Sequence, residues 1–321
     1  MEKSETTHKE IIAIGITNQR ETCLLWDKEG NPLGKAIVWQ DRRTVELCNN
    51  FKKEGLDKTI NQITGLLADP YFSGTKLSWL LDNTGTPKDF YMGTIDTFMV
   101  WKLTDGRSYF IDATNASRTL LMDINNVSWS EEMCNLLNIP IDKLPEIKNS
   151  ADEYGEPSLF GGEIKISGIA GDQQAALFGQ GCFKEGEAKS TYGTGCFMML
   201  NTGSDIKLSK SKLLSTIGYQ IDGKVNYALE GSIFMAGASI QWLRDNLDFF
   251  SLAQEIENLA KNSNKNSNVS FIPAFTGLGA PYWDPEARGA IFGLSRETTK
   301  NDISQALLEA CLLYTSDAAD E

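Results

Sequence analysis

Histidine is nearly absent: the 321-residue chain has one, His8, in a polar leader. This excludes Ser–His and Cys–His catalytic pairs and histidine-ligated metals built within the chain. A general base must then be a carboxylate, with lysine or tyrosine as lesser choices. No apolar run reaches the about 18 residues that a membrane span needs. The N-terminus, MEKSETTHKE, lacks the apolar core of a signal peptide, so nothing marks export. The six cysteines, Cys23, Cys48, Cys134, Cys182, Cys196 and Cys311, form no CxxC pair. A zinc ribbon or thioredoxin-type centre is thereby disfavoured, and reduced thiols in a cytoplasmic protein are expected. No GxxxxGK[ST] phosphate loop occurs. Positive charge is also short, 30 Lys and Arg against 43 Asp and Glu, a net charge of −13. That argues against nucleic acid as partner, but not against a nucleotide held by backbone N–H groups and a metal.

What is present reads as an ordinary globular chain, 41% hydrophobic and 23% charged. Its length predicts two domains at about 150 residues each. Strand-like and helix-like runs alternate, which predicts an α/β protein. Residues 11–16, 22–27 and 35–39 read as three strands of a meander, with a turn at Lys28–Asn31. Helices are expected over 43–53, 75–82 and 96–103. Ser128 with Glu131 forms a capping-box pattern before a further helix. Residues 164–169 read as a strand that runs into Gly171–Asp172 and a helix to Gly179. Residues 188–201 read as a hairpin turning at Gly193–Gly195. A strand at 226–230 precedes a helix over 234–246. Residues 262–268 form a polar loop, 270–274 and 290–294 are strands, and a last helix starts near Asn301. The domain boundary is placed between Gly179 and Glu187.

Several residues could carry chemistry, and each has a plainer alternative. Asp172 stands where a strand gives way to a helix, the place where open α/β sheets put ligands, and could accept a hydroxyl proton. It could equally be a helix N-cap. Gly193-Thr194-Gly195 could admit phosphate to backbone N–H groups, or be a plain turn. Arg20-Glu21 offers donors and acceptors to vicinal hydroxyls, or a surface ion pair. Trp39 and Phe197 could wall a small polyol, or pack in the core. Gly237 and Gln241 share a helix face, for close approach of a ligand or for helix packing.

Together the segments GITNQRET, AIVWQDRRT, DPYFSGTKLSWLLDN, GTIDTF, TNASRTLL, GIAGDQQAALFGQ, STYGTGCFMMLNTG, ALEGSIFMAGASIQWLRD and FIPAFTGLGAPYWDPEARGAIFGLSR resemble the glycerol kinase branch of the FGGY carbohydrate kinases. The resemblance spans roughly residues 11–310. It implies an α/β, actin/hexokinase-like (ribonuclease H-like) ATPase fold in two domains, both incomplete. Residues 1–10 are then a leader, 11–179 the N-terminal domain, 180–310 the C-terminal domain and 311–321 a non-native tail. The implied reaction is phosphorylation of glycerol by ATP to sn-glycerol 3-phosphate. Another polyol or pentulose, or a non-catalytic fragment, are the alternatives. By resemblance Asp172 is the catalytic base. Arg20, Glu21, Trp39, Tyr71, Asp172, Gln173 and Phe197 bind glycerol, and Thr194, Gly195, Gly237 and Gln241 bind ATP. Mg²⁺ is implied near Asp172, its ligands unassigned. A cytoplasmic homo-oligomer with no nucleic-acid partner and no membrane span is implied as well.

The departures from the family pattern carry expectations of their own. The DxGTT-type phosphate hairpin and the adenosine-binding glycine loop are not matched, so this chain is expected to be inactive alone. The Leu159–Gly168 segment lacks the arginine and longer glycine loop that the family uses to bind fructose 1,6-bisphosphate. The connection between Asp82 and Gly93 is short.

Overall fold

The computed structural model describes residues 7–85, 88–160 and 164–320. Most of the polar leader, part of the Leu159–Gly168 segment, part of the Asp82–Gly93 connection and residue 321 of the tail lie outside these. The chain packs as two units. One comprises Met1–Glu187, Leu200–Leu208 and Leu214–Leu229, the other Ala188–Met199, Ser209–Leu213 and Glu230–Glu321.

In the first unit, the strand Ala13–Asn18 pairs in parallel with Lys165–Gly171, the strands running from Ala13 opposite Lys165 to Asn18 opposite Gly171. Lys165–Gly171 lies antiparallel to Ala151–Gly155, which joins Leu214–Ile221 in parallel. Ile166 and Ile169 are buried, and with Val100 and Tyr154 they form a core against Ile14, Ile16, Leu103 and Phe110. The apolar helix Ile95–Leu103 belongs to this layer. The register has one consequence for function. The two parallel strands end level, so the chain leaves both at the same edge, toward Arg20-Glu21 on one side and Asp172 on the other.

The expected meander does not form. The strand Cys23–Asp27 pairs antiparallel with Phe90–Thr94, and Ala13–Asn18 pairs elsewhere. Residues 35–39 are no strand: Ile37 makes a single bridge to Cys23, and Pro32 one to Trp26. Pro32 has no N–H to continue a ladder. Trp26 instead anchors an aromatic cluster with Tyr91, Phe98, Trp101 and Tyr109. The capping serine is Ser130, not Ser128: its Oγ accepts from Met133 N–H at 3.2 Å. Ser128–Trp129 is instead a short strand paired with Met122–Asp123. The helix Asp57–Thr64, closed by Gly65 at φ +73°, was not expected.

In the second unit, Ala188–Tyr192 and the start of Cys196–Gly203 form the expected hairpin. Ser270–Ile272 pairs antiparallel with Ala290–Phe292. These and the helices Gly237–Asp245, Glu255–Lys261 and Lys300–Asp320 surround a core of Leu243, Phe250, Ile256, Val269, Phe271, Ala306 and Leu307.

Candidate active site

Arg20 is buried at the centre of the first unit's candidate residues. Its Nε lies 3.4 Å from Asp172 Oδ1 and 3.8 Å from Glu21 Oε1. Its Nη2 donates to Tyr71 Oη and its Nη1 to Gln174 Oε1, both at 3.2 Å. This is not a surface ion pair: the Arg20 and Glu21 side chains are 1% and 2% exposed. Room for the guanidinium depends on Gly171, where a Cβ would come within 2.6 Å of Arg20 Cγ. Glu21 sits in the left-handed region at φ 58°, a cost that a non-glycine residue bears only where its surroundings hold it.

Asp172 opens the helix Asp172–Gly179, and the N-cap is Gly171. The Asp172 carboxylate is 43% exposed, and its Oδ1 accepts from Gln173 N–H at 2.8 Å. Arg20 Nε is its ion-pair partner, and Asp172 stands in the first turn of the helix. The N-cap alternative is therefore not what the residue does. Gln173 follows it and is buried. The Trp39 ring meets Tyr71 edge-on, with centroids 5.9 Å apart.

Supporting groups that the sequence did not announce surround this cluster. Arg118 Nε donates to Glu21 Oε1 at 2.7 Å. Asp69 accepts from Tyr71 N–H at 2.8 Å and from Arg42 Nη1 at 2.9 Å, and burial raises its pKa. Lys76 Nζ donates to the Tyr71 carbonyl at 2.6 Å, and its own burial lowers its pKa. Thr114 Oγ1 accepts from Gly171 N–H at 2.9 Å, holding the turn that carries Asp172. The Arg118–Glu21, Thr114–Gly171 and Arg42–Asp69 contacts join residues far apart in sequence, so spacing alone could not reveal them. Burial also pushes the nearby Cys23 thiol up to about 12, which removes it as a nucleophile.

The remaining candidates lie in the second unit. The Gly193–Gly195 turn is sewn to the start of the helix Gly237–Asp245. Thr194 O accepts from Ala236 and Ala238 N–H at 2.9 and 3.2 Å, and Gly193 O accepts from Gly237 N–H at 2.9 Å. A Cβ on Gly195 would stand 2.4 Å from Ile233 O, and one on Gly237 2.6 Å from Gly193 O. Backbone packing thus demands both glycines, whatever else they do. Thr194 and Gln241 are exposed. Phe197 is buried in this unit, and its carbonyl accepts from Lys189 Nζ.

A buried cationic–carboxylate cluster beside a half-exposed aspartate suits recognition of a small hydroxylated molecule and removal of its proton. The chain matches the N-terminal domain model of the FGGY family of carbohydrate kinases over residues 1–179, and the C-terminal domain model over 188–321. Glycerol kinase of Rhizobium meliloti (strain 1021) is 54% identical over 326 residues, 99% of this chain and 66% of that protein. Glycerol kinase of Staphylococcus haemolyticus (strain JCSC1435) is 51% identical, covering 100% of this chain and 66% of that protein. The chain thus spans about two thirds of the length of these relatives. The crystal structure of Plasmodium falciparum glycerol kinase with ADP is similar at a TM-score of 0.81 and 40% identity, over 96% of this chain and 64% of that one. Gluconate kinase from Lactobacillus acidophilus, at 23% identity and a TM-score of 0.82, shares the fold. The architecture is the α/β, actin/hexokinase-like one that the motifs implied. The chain belongs to the FGGY family of carbohydrate kinases.

Proposed function

We propose that this chain carries the polyol and nucleotide sites of an ATP-dependent kinase that converts glycerol to sn-glycerol 3-phosphate. The observation that carries the reading is the buried Arg20–Glu21–Tyr71 cluster against Asp172, in a chain 51–54% identical to glycerol kinases. In this reading Arg20 donates to the glycerol hydroxyls, and Glu21 and the Gln173 amide accept from them. Trp39, Tyr71 and Phe197 bound its carbon chain. Asp172 takes the proton of a terminal hydroxyl as that oxygen bonds to the γ-phosphorus and the bond to the ADP oxygen breaks. Thr194 and Gly195 offer backbone N–H groups to the phosphates, and Gly237 and Gln241 line the nucleotide's place. The polyol residues other than Phe197 fall in the N-terminal domain, 11–179, and Phe197 and the nucleotide residues in the C-terminal one, 180–310.

A Mg²⁺ ion suits this set only as a companion of the nucleotide. Among the described residues no group of three acidic, cysteine or histidine side chains could hold a metal. A kinase Mg²⁺ needs only one or two carboxylates besides phosphates and water. The half-exposed Asp172 carboxylate would be such a ligand. When bound, the ion neutralises charge on the phosphates.

The resemblance also supports a cytoplasmic homo-oligomer. Among the described residues no helix is long and apolar enough to cross a membrane. Light scattering tests the oligomeric state. ADP release by a full-length version with glycerol, dihydroxyacetone, xylulose and ribulose tests the reaction. Turnover confined to the three-carbon substrates supports the reading, and preference for a pentulose moves the chain to another branch of the family. Absence of any polyol binding would leave a non-catalytic chain.

A further inference from the structure

We propose that Arg118 is a positioning residue for polyol recognition: it fixes the Glu21 carboxylate and ties it to the aromatic wall at Tyr71. The inference rests on the glycerol reading above and deepens it.

Four observations converge on this side chain. Arg118 is fully buried, and its Nε donates to Glu21 Oε1 at 2.7 Å, the short distance of a charge-assisted bond. Its guanidinium carbon lies 5.5 Å from the centre of the Tyr71 ring and 5.3 Å from that of Phe72, within cation–π range. Its backbone is fixed as well. Arg118 N–H donates to Asn115 O at 3.0 Å, and its carbonyl accepts from Ser73 N–H at 3.5 Å. The same short segment reaches the other half of the cluster, because Thr114 holds Gly171. Glu21 itself stands at φ 58°, a conformation its own chain does not favour.

A carboxylate in a dry, left-handed turn could swing toward Arg20, 3.8 Å from the same oxygen, and close the space where a hydroxyl would bind. Arg118 makes the shorter contact to that oxygen, 2.7 Å, and sets its orientation. Lysine could not substitute. It is a point charge on a flexible stem, without the planar fork that donates to the carboxylate while lying over a ring. Arg118 acts on the polyol only through Glu21 and Tyr71.

The test is a calorimetric glycerol titration of the wild-type chain, Arg118→Lys, Glu21→Gln and the double variant, with thermal midpoints recorded for all. Positioning predicts that Arg118→Lys weakens glycerol binding roughly tenfold. It also predicts that the same change alters affinity less than twofold once Glu21 is Gln, because there is no longer a carboxylate to orient. If Arg118→Lys does not fold, Arg118→Gln in the Glu21→Gln background carries the test and must bind no worse than Glu21→Gln alone. Wild-type-like affinity in Arg118→Lys, equal losses in both backgrounds, or a further loss in that neutral pair overturns the inference and leaves the glycerol reading standing. A wild-type chain that binds no glycerol overturns both.

Discussion

Arg20 makes contacts that a single side chain seldom combines: Asp172 at 3.4 Å, Tyr71 and Gln174 at 3.2 Å, all in a buried position. Its removal takes charged donors from the polyol and leaves Asp172 without its cation. In a full-length version of the protein Arg20→Ala should therefore raise the KM for glycerol roughly tenfold or more, with little change in the KM for ATP. Equal shifts in the two constants would contradict the assignment. In the same full-length version Asp172→Asn should lower kcat by about 10² to 10⁴, because the amide cannot take the hydroxyl proton, while glycerol still binds. A kcat within threefold of wild type would make the residue structural. Adjacency and a strand-to-helix junction made these residues candidates but left an ion pair and a helix cap open, and their roles came from the resemblance to the family. Arg118 was not a candidate. Its bond to Glu21 spans 97 positions, and only the fold brings the two together.

At the level of elements, local chemistry was readable and partnership was not. The hairpin at Gly193–Gly195 and the strand running into Asp172 carry their own turn residues and apolar alternation. Which strand lies beside Cys23–Asp27 is decided by the distant Phe90–Thr94, and the expected neighbour at 35–39 gains one bridge only. The capping serine was misplaced by two residues because Ser128 and Ser130 both precede acidic residues. Ser130→Ala should cost about 1 kcal/mol of stability and Ser128→Ala only a few tenths, which denaturant unfolding of the two variants resolves. Gly195→Ala should lower the thermal midpoint and weaken ATP binding together, because its Cβ would meet Ile233 O at 2.4 Å. An unchanged midpoint would show that the turn relaxes at no cost.

For the whole molecule, buried carboxyls set the response to pH. Burial pushes the Asp96 carboxyl up to about 7 and raises Asp69 and Asp112 as well. Asp96 is then protonated in the folded chain and ionised in the unfolded chain between about pH 4 and pH 7. Unfolding releases that proton, so this group's contribution to stability declines as pH rises through the window. Asp96→Asn should raise the thermal midpoint relative to wild type more at pH 8 than at pH 5, and an equal difference at both would contradict the sign. The cluster around Arg20 is proposed as a polyol site. Calorimetric titration of glycerol into the wild-type chain and into Arg20→Ala tests this most directly, since it needs neither nucleotide nor turnover. Saturable one-site binding by the wild-type chain and at least a tenfold loss in the variant are expected. No binding by the wild-type chain, or equal affinity in the two, would contradict a polyol site.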